Sequence, residues 1–158
     1  MNKLENLWAG WRVEYLSETK GEGLVGNSGK TLFSLIDESQ LPDEETFVIE
    51  KRMLTMVLLN AYPYTSGHLL VVPRRPVKTL GELEEEENQS LWKMVTDATV
   101  VLQDVFSPEG MNIGLNQGQA AGAGVPNHLH VHLVPRWSGD TNFMPVVGQT
   151  KVHVQGLR

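Results

Sequence analysis

Apolar residues recur along this chain with two different periods, and each period predicts a different kind of element. Between residues 83 and 105 they return every three or four positions, at Leu91, Met94, Val95, Ala98, Val101, Leu102 and Val105. That recurrence predicts an amphipathic helix, and the acidic run Glu82 to Glu87 in front of it is typical of a solvated helix N-terminus. A similar spacing over residues 3–17 predicts a short N-terminal helix or an irregular arm.

Short runs of aliphatic and β-branched residues predict strands elsewhere in the chain. These runs are Phe47–Glu50, Leu54–Leu59, Leu69–Val72 and Met111–Leu115, with a further strand over the histidines that follow residue 127. The turn-forming stretch NAYPYTSG separates the second run from the third, so the first three runs predict a hairpin-like pair with a third strand. The segments KGEGLVGNSGK and GLNQGQAAGAG are rich in glycine and predict loops.

Length and composition limit the class of protein. A chain of 158 residues with 41% hydrophobic content can bury one core and is too short for two domains. It has no cysteine, which excludes disulfides, thiolate zinc sites and a cysteine nucleophile and favours a cytoplasmic location. Without a signal-like or membrane-spanning apolar stretch, we expect a soluble, unprocessed protein that binds no membrane. A net charge of -6 argues against binding nucleic acids, although a local site can still hold a small anion.

The stretch NHLHVHLVPRW concentrates three of the five histidines of the chain at alternate positions. Because side chains alternate between the faces of a strand, the aliphatic residues are expected in the core and the histidines on the opposite face. One alternative is a strand with solvated histidines. Another is a metal site, but a rise of about 3.3 Å per residue separates the outer histidines by roughly 13 Å. Zn–N bonds are only about 2.0 to 2.1 Å long, so the three cannot easily bind one ion.

A histidine nucleophile with histidine neighbours is the interpretation that remains. Neutral imidazole can attack phosphorus and form a phosphoramidate intermediate, while flanking imidazoles donate hydrogen bonds to phosphoryl oxygens. Residues 114–124 carry four glycines, whose backbone N–H groups can closely approach an anion. The P-loop and the dinucleotide-binding fingerprint both lead into a helix, whereas this loop is followed by a strand, so neither motif applies.

HLHVHLV resembles the signature, His-φ-His-φ-His-φ-φ with φ apolar, of the histidine triad (HIT) family. Four further segments resemble, in order, those of one bacterial branch that includes diadenosine tetraphosphate phosphorylases: LWAGWRVEYL, LLNAYPYTSGHLLVVPRR, GMNIGLNQGQAAGAG and PRWSGDTNFMPVVGQTK. The resemblance implies a single α+β domain over residues 1–158, with an arm and loop at 1–30 and a core at 45–137. It implies an antiparallel sheet of about five strands, one long helix, a short N-terminal helix and a homodimer.

The resemblance also implies roles for four histidines. His130, the middle histidine, is similar to the family's nucleophile, and His132 to the histidine that contacts the α-phosphate and assists. His128 is expected to orient the site. His68, in SGHLLVVP, matches a fourth family histidine, whereas without the resemblance it would be read as a surface histidine beside a turn.

Five further positions are expected to bind the nucleotide. Asn60 stands eight residues before His68, where the family places a ribose-binding residue, and an amide can both donate to and accept from vicinal hydroxyls. Asn116 matches the family's phosphate-side asparagine, and Gly122 and Gly124 belong to the same glycine-rich loop. Several relatives have a hydroxyl side chain at the position of Gly124. Trp137 matches a tryptophan of this branch, and core or dimer packing is the favoured alternative for it.

No resident metal or cofactor is expected. Many members of the branch bind zinc through Cys-x-x-Cys and a histidine, for which this chain has Gly23, Gly26 and Leu54. A magnesium ion carried by the substrate phosphates is compatible with the site. The expected function is hydrolysis or nucleotidyl transfer at the α-phosphate of nucleoside polyphosphates or phosphoramidates, through nucleotidyl-His130. The alternatives are a catalytically idle nucleotide-binding regulator and a metal-binding protein that uses His128 or His130 with Asp140.

Overall fold

The structure, a computed structural model, describes residues 30–141 and residue 147. The helix predicted over residues 3–17 lies outside the described residues, as do Gly23 and Gly26. In chain order the elements are α1 (Leu32–Glu38), α2 (Asp43–Thr46), β1 (Val48–Lys51), β2 (Thr55–Leu59), β3 (Leu69–Pro73), α3 (Glu85–Phe106), β4 (Gly110–Leu115) and β5 (Val131–Arg136). Short 3-10 turns lie at Leu80–Glu82 and Gln119–Ala121. Within this part of the chain, no helix has the length and apolar character needed to cross a membrane.

The strands form one five-stranded antiparallel sheet in the order β1-β2-β3-β5-β4. The first three strands follow one another as a meander, and β5 then inserts between β3 and β4. In the register of β5, His132 lies opposite Leu70 of β3 on one side and Gly114 of β4 on the other. The α+β fold with five antiparallel strands and one long helix is therefore confirmed. The division into an arm at 1–30 and a core at 45–137 stays a prediction.

The long helix α3 covers one face of the sheet, where it packs against β2, β3 and β5. It begins after Glu84, which forms a capping box with Glu87 and satisfies free N–H groups of the first turn. The apolar residues buried between helix and sheet are Val57, Leu69, Val71, Val77, Leu91, Met94, Val95, Ala98, Leu102, Leu129, Val131 and Leu133. Each fully buried aliphatic side chain contributes about 1.5 to 3 kcal/mol of transfer free energy, so this layer is the main stabilising core.

The opposite face carries the histidines and a smaller apolar cluster. Phe33 of α1 closes this cluster over the sheet, and the other buried members are Val48, Met56, Leu58, Leu70 and Val72. Thr31 caps α1 by accepting a hydrogen bond from the backbone N–H of Ser34. The face opposite α3 is therefore part core and part functional site.

Several sequence expectations need correction. The sequence pattern predicts no element where α1 and α2 lie, because seven- and four-residue helices are too short for a clear periodicity. Val101 and Val105 were placed on the apolar stripe of the long helix but are 54% and 65% exposed. The predicted histidine strand begins only at Val131, so His128 and His130 precede β5.

Candidate active site

His130 is held by a hydrogen bond that decides which of its ring nitrogens can react. Its Nδ1 lies 2.8 Å from the backbone carbonyl oxygen of His128. A carbonyl can only accept, so Nδ1 must carry the proton and the lone pair must lie on Nε2. Burial lowers the pKa of His130 below its ordinary value of 6.5. The imidazole is therefore neutral near pH 7 and carries a nucleophilic nitrogen at Nε2.

His132 has the opposite arrangement, which is imposed through His68. The backbone N–H of Tyr64 donates to Nδ1 of His68 over 3.0 Å, so the proton of His68 lies on Nε2. That Nε2 is 2.9 Å from Nδ1 of His132 and donates to it. The proton of His132 must then lie on its own Nε2. Burial, and more weakly the neighbouring His130, lower the pKa of His132 to about 4, so it is a neutral N–H donor.

The two imidazoles with opposite arrangements are neighbours. The ring centroids of His130 and His132 are 5.0 Å apart, close enough for both to reach one phosphoryl group. His130 offers a lone pair at its Nε2, whereas His132 offers an N–H at its own Nε2. A nucleophile beside a donor aimed at the developing charge is the pairing that displacement at phosphorus requires.

His128 is fully buried and uses both ring nitrogens within the protein. Its Nε2 donates to the carbonyl oxygen of Pro73 over 2.7 Å. Its Nδ1 therefore accepts, and the hydroxyl of Thr31 donates to it over 2.5 Å. Phe33 packs edge-on against His128 with ring centroids 5.3 Å apart, and burial lowers the pKa of this histidine. His128 thus positions the backbone carbonyl that orients His130.

Asn60 and Tyr64 surround the fourth histidine. The backbone N–H of Asn60 donates to the carbonyl oxygen of His68, and its side-chain Oδ1 accepts from the N–H of Tyr62 over 2.8 Å. Nδ2 of Asn60 is 3.3 Å from both ring nitrogens of His68, which places the amide over the ring. The Tyr64 ring is stacked on His132 at 5.8 Å. The structure therefore brings Asn60 to the β3 side of the histidines.

The glycine-rich loop continues from β4 beside the triad. Leu115, the last residue of β4, pairs with Val131, so Asn116 follows at the level of His130. Gly118 and Gly122 have φ values of 81° and 89°, in the left-handed region that favours glycine. A Cβ on Gly122 would lie 3.9 Å from Nδ2 of Asn116, so these two positions are adjacent. Gly124 is exposed beside open space, and its predicted nucleotide contact stays a prediction.

Trp137 lies at the other end of β5 from the histidines. The backbone N–H of Trp137 donates to Asp140, whose carboxylate also accepts two hydrogen bonds from Arg136. Seven residues of extended strand span roughly 23 Å, which separates Trp137 from His130 within one protomer. A nucleotide contact of Trp137 within the same protomer would have to bridge that separation.

The alternative of a metal site finds no ligand cluster in this part of the molecule. Asp140 is bound to Arg136, which lowers the pKa of its carboxyl to about 2, and both nitrogens of His128 are occupied. Between residues 30 and 141, no group of three or more histidine, aspartate or glutamate side chains is arranged to hold an ion. The described residues thus give the metal-binding alternative no ligand set.

The sequence pattern does not identify three residues of the site, which are Thr31, Phe33 and Tyr64. Thr31 caps α1 and Phe33 lies in it, nearly a hundred residues before the histidines that they contact. Tyr64 is part of a stretch read only as a turn. The one available signal was the pair of tyrosines in NAYPYTSG, because aromatic residues are uncommon in an exposed turn.

A model of the HIT domain family matches residues 42–139, and the chain belongs to the HIT family. The AP-4-A phosphorylase of Mycobacterium tuberculosis (strain CDC 1551 / Oshkosh) is 40% identical over 157 residues, 99% of this chain and 80% of that protein. The asymmetrical bis(5'-nucleosyl)-tetraphosphatase of Schizosaccharomyces pombe is 38% identical over 93 residues, 59% of this chain and 50% of that protein. A solved hypothetical histidine triad nucleotide-binding protein from Sulfolobus tokodaii strain 7 has a TM-score of 0.61 and 30% identity, over 68% of this chain and 70% of that one.

Proposed function

We propose that the protein is an enzyme that attacks the α-phosphate of a nucleoside polyphosphate of the diadenosine tetraphosphate type, or of a nucleoside phosphoramidate. The single observation that carries this proposal is that the adjacent neutral rings of His130 and His132 are opposite tautomers, set by a carbonyl and an amide of the backbone. The names of the similar proteins, a phosphorylase and a tetraphosphatase, support the same substrate class.

The first step follows from the tautomers of His130 and His132. Nε2 of His130 forms a bond to the α-phosphorus while the bond from phosphorus to the leaving group breaks. The leaving atom is an oxygen in a polyphosphate, and in a phosphoramidate it is a nitrogen that takes up a proton as it leaves. The imidazole becomes cationic, and the carbonyl of His128 stabilises its Nδ1–H. The Nε2–H of His132 donates to a phosphoryl oxygen as negative charge grows there. An oxygen of water or of inorganic phosphate then forms a bond to the α-phosphorus while the bond from phosphorus to Nε2 breaks. An attacking water releases a proton to the solvent, and His130 returns to its neutral form.

The ribose is proposed to lie at Asn60. Its Nδ2 and Oδ1 both lie at the end of β2 beside His68, where an amide can donate to one ribose hydroxyl and accept from the other. Asn60→Ala should weaken binding of a ribonucleotide by about 1 to 3 kcal/mol, the cost of leaving a buried polar partner unsatisfied. A 2′-deoxyribonucleotide should lose less, and calorimetric titration of both nucleotides compares them. Equal losses would contradict the ribose contact.

Incubation with diadenosine tetraphosphate, with and without inorganic phosphate, tests the function. Mass spectrometry should show ATP and ADP if phosphate is the acceptor, or AMP and ATP if water attacks. Nucleotide binding with no turnover under both conditions would favour the alternative of an idle regulatory protein.

We further propose a homodimer. Val100, Val101 and Val105 are exposed on α3, and Ile113 of β4 is exposed on the same side of the sheet because it pairs with Leu133. β4 is also the last strand of the sheet within the described residues. A second copy would cover both features through a symmetric interface. Sedimentation should show a dimer that Val101→Glu weakens, and a monomeric wild type would refute the interface.

Two further expectations complete the proposal. We propose a cytoplasmic enzyme, because a chain without cysteine needs no oxidising compartment to form disulfides. We propose that any magnesium enters with the substrate phosphates, since the donor groups that meet at the triad are imidazoles and not the oxygen ligands that magnesium prefers.

A further inference from the structure

Gly114 occupies the position on β4 that faces His132 of β5 across the sheet. Directly paired residues of antiparallel strands point to the same face, with Cβ atoms about 4.5 to 5.5 Å apart. A side chain at position 114 would therefore stand next to the His132 ring on the histidine face. Gly114 is exposed, and a Cβ built on it meets no protein atom within 4 Å. The position is a gap in the wall of the site.

The backbone does not require glycine at this position. Gly114 is not among the residues with positive φ, and it pairs regularly within β4. Glycine inside a strand weakens it, and in such a place it often marks the close approach of a ligand. A close approach of substrate to β4 would explain the missing side chain.

The order of the strands decides which part of the substrate would pass there. This step rests on the proposed function. Asn60, the proposed ribose contact, lies at the end of β2, and His68 stands just before β3. The reacting histidines are on β5 and directly before it, and β4 lies beyond them. With the nucleoside over β2 and β3 and the α-phosphate at β5, the leaving group extends towards β4.

We propose that Gly114 determines leaving-group specificity. Its missing side chain leaves a passage beside His132, through which the polyphosphate and second nucleoside of a dinucleoside polyphosphate leave the α-phosphate. A nucleoside phosphoramidate has only an amine as its leaving group and does not fill this passage. A side chain at position 114 should therefore exclude the large leaving group and tolerate the small one.

The test compares Gly114→Val with Gly110→Val. Gly110 is a matched control because it lies on the same strand and face, pairs with Arg136 and also has open space around a Cβ. Valine suits a strand, so both variants should fold. With Gly114→Val, kcat/KM for diadenosine tetraphosphate should fall about 10-fold or more, while that for adenosine 5′-phosphoramidate changes by less than about 3-fold. Gly110→Val should leave both values near wild type.

The outcomes separate this proposal from the proposed function. If the wild type turns over neither substrate, the proposed function fails. If the wild type is active and Gly114→Val lowers both activities equally, position 114 acts by disturbing His132, and the specificity proposal is wrong. It is also wrong if Gly114→Val leaves both activities unchanged, or if Gly110→Val reproduces the selective loss.

Discussion

Two hydrogen-bonded chains end at the triad, and they leave the neutral rings of His130 and His132 as opposite tautomers. From α1, Thr31 donates to His128, whose backbone carbonyl accepts from Nδ1 of His130. From the turn after β2, the amide of Tyr64 donates to His68, which donates to Nδ1 of His132. A histidine offers a lone pair at Nε2 where the backbone presents a carbonyl to Nδ1, and an N–H at Nε2 where the hydrogen-bonded chain begins at a backbone amide. The backbone group at the end of each chain, and not the histidine itself, decides the role.

The two hydrogen-bonded chains also differ in the groups that they contact. In the first hydrogen-bonded chain, both ring nitrogens of His128 are hydrogen-bonded within the protein, to Thr31 and to Pro73. This hydrogen-bonded chain can therefore act on a substrate only through His130. His68 contacts His132 directly, and Asn60 and Tyr64 cover the pair. Substitutions in the first hydrogen-bonded chain should therefore affect the position of His130 and the stability of the fold. Substitutions in the second should affect the stabilisation of negative charge on the phosphoryl group.

Removal of the nucleophile should have the largest effect. His130→Ala should lower kcat by about 10³-fold or more, because no other group can form the bond to phosphorus. Nucleotide binding, measured by calorimetry, should survive. In the wild type, quenching at alkaline pH and peptide mapping should locate the nucleotidyl group on His130. Label on another residue, or a variant that keeps most of its activity, would contradict the assignment.

Loss of the donor chain should have the next largest effect. His132→Ala should slow turnover about 10²-fold, the size expected for one donor to a developing oxyanion. If His68 acts only by setting the proton on His132, His68→Ala should cost no more than this. The double variant should then be no slower than His132→Ala alone. Independent, multiplying losses would show that His68 has a second role.

Loss of the positioning chain should cost less activity and more stability. Thr31→Val leaves the buried Nδ1 of His128 without its donor, which should lower the free energy of unfolding by about 1 to 3 kcal/mol. It also removes the N-cap of α1, which should cost about 1 kcal/mol more. kcat should fall about 10-fold with KM nearly unchanged, since His130 is misplaced while the nucleotide contacts remain. Urea denaturation and steady-state kinetics measure the two effects. Thr31→Ser keeps the hydroxyl and should restore both, and a failure of that rescue would argue against the hydrogen bond.

The pH dependence should give the smallest effect and the same sign for both chains. Burial lowers the pKa values of His128, His130 and His132, so the acidic limb of kcat/KM should lie below pH 6.5. For His132, stability is fully present above pH 6.5 and declines towards about pH 4, because in this window the unfolded chain binds a proton that the folded chain excludes. Melting temperatures measured across this range check the sign. His132→Asn should flatten the slope, and a melting temperature that rises on acidification would contradict it.

Much of the fold could be predicted from local pattern, whereas most of the expected site residues were predicted from the resemblance to the HIT family. Alternation around His130 correctly placed the neighbouring Leu129 and Val131 in the core, because side chains on extended backbone alternate regardless of what surrounds them. The position of the long helix was predicted correctly, but its buried apolar face is narrower than predicted, since Val101 and Val105 are exposed. Periodicity shows which residues are apolar, and it cannot show how much of a helix its sheet will cover.

The sequence by itself determined that the three histidines would lie on the opposite side from Leu129 and Val131, and the family resemblance predicts that the middle histidine is the nucleophile. For His128 and His132, only the tertiary structure decided which ring nitrogen carries the proton, whereas Nδ1 of His130 donates to the carbonyl of His128, two residues away. The ring protons of His128 and His132 depend on Thr31, 97 positions from His128, and on His68, 64 positions from His132. A local pattern is set by the backbone of a few adjacent residues, whereas a tautomer is set by whichever donor or acceptor the fold brings within about 3 Å of a ring nitrogen.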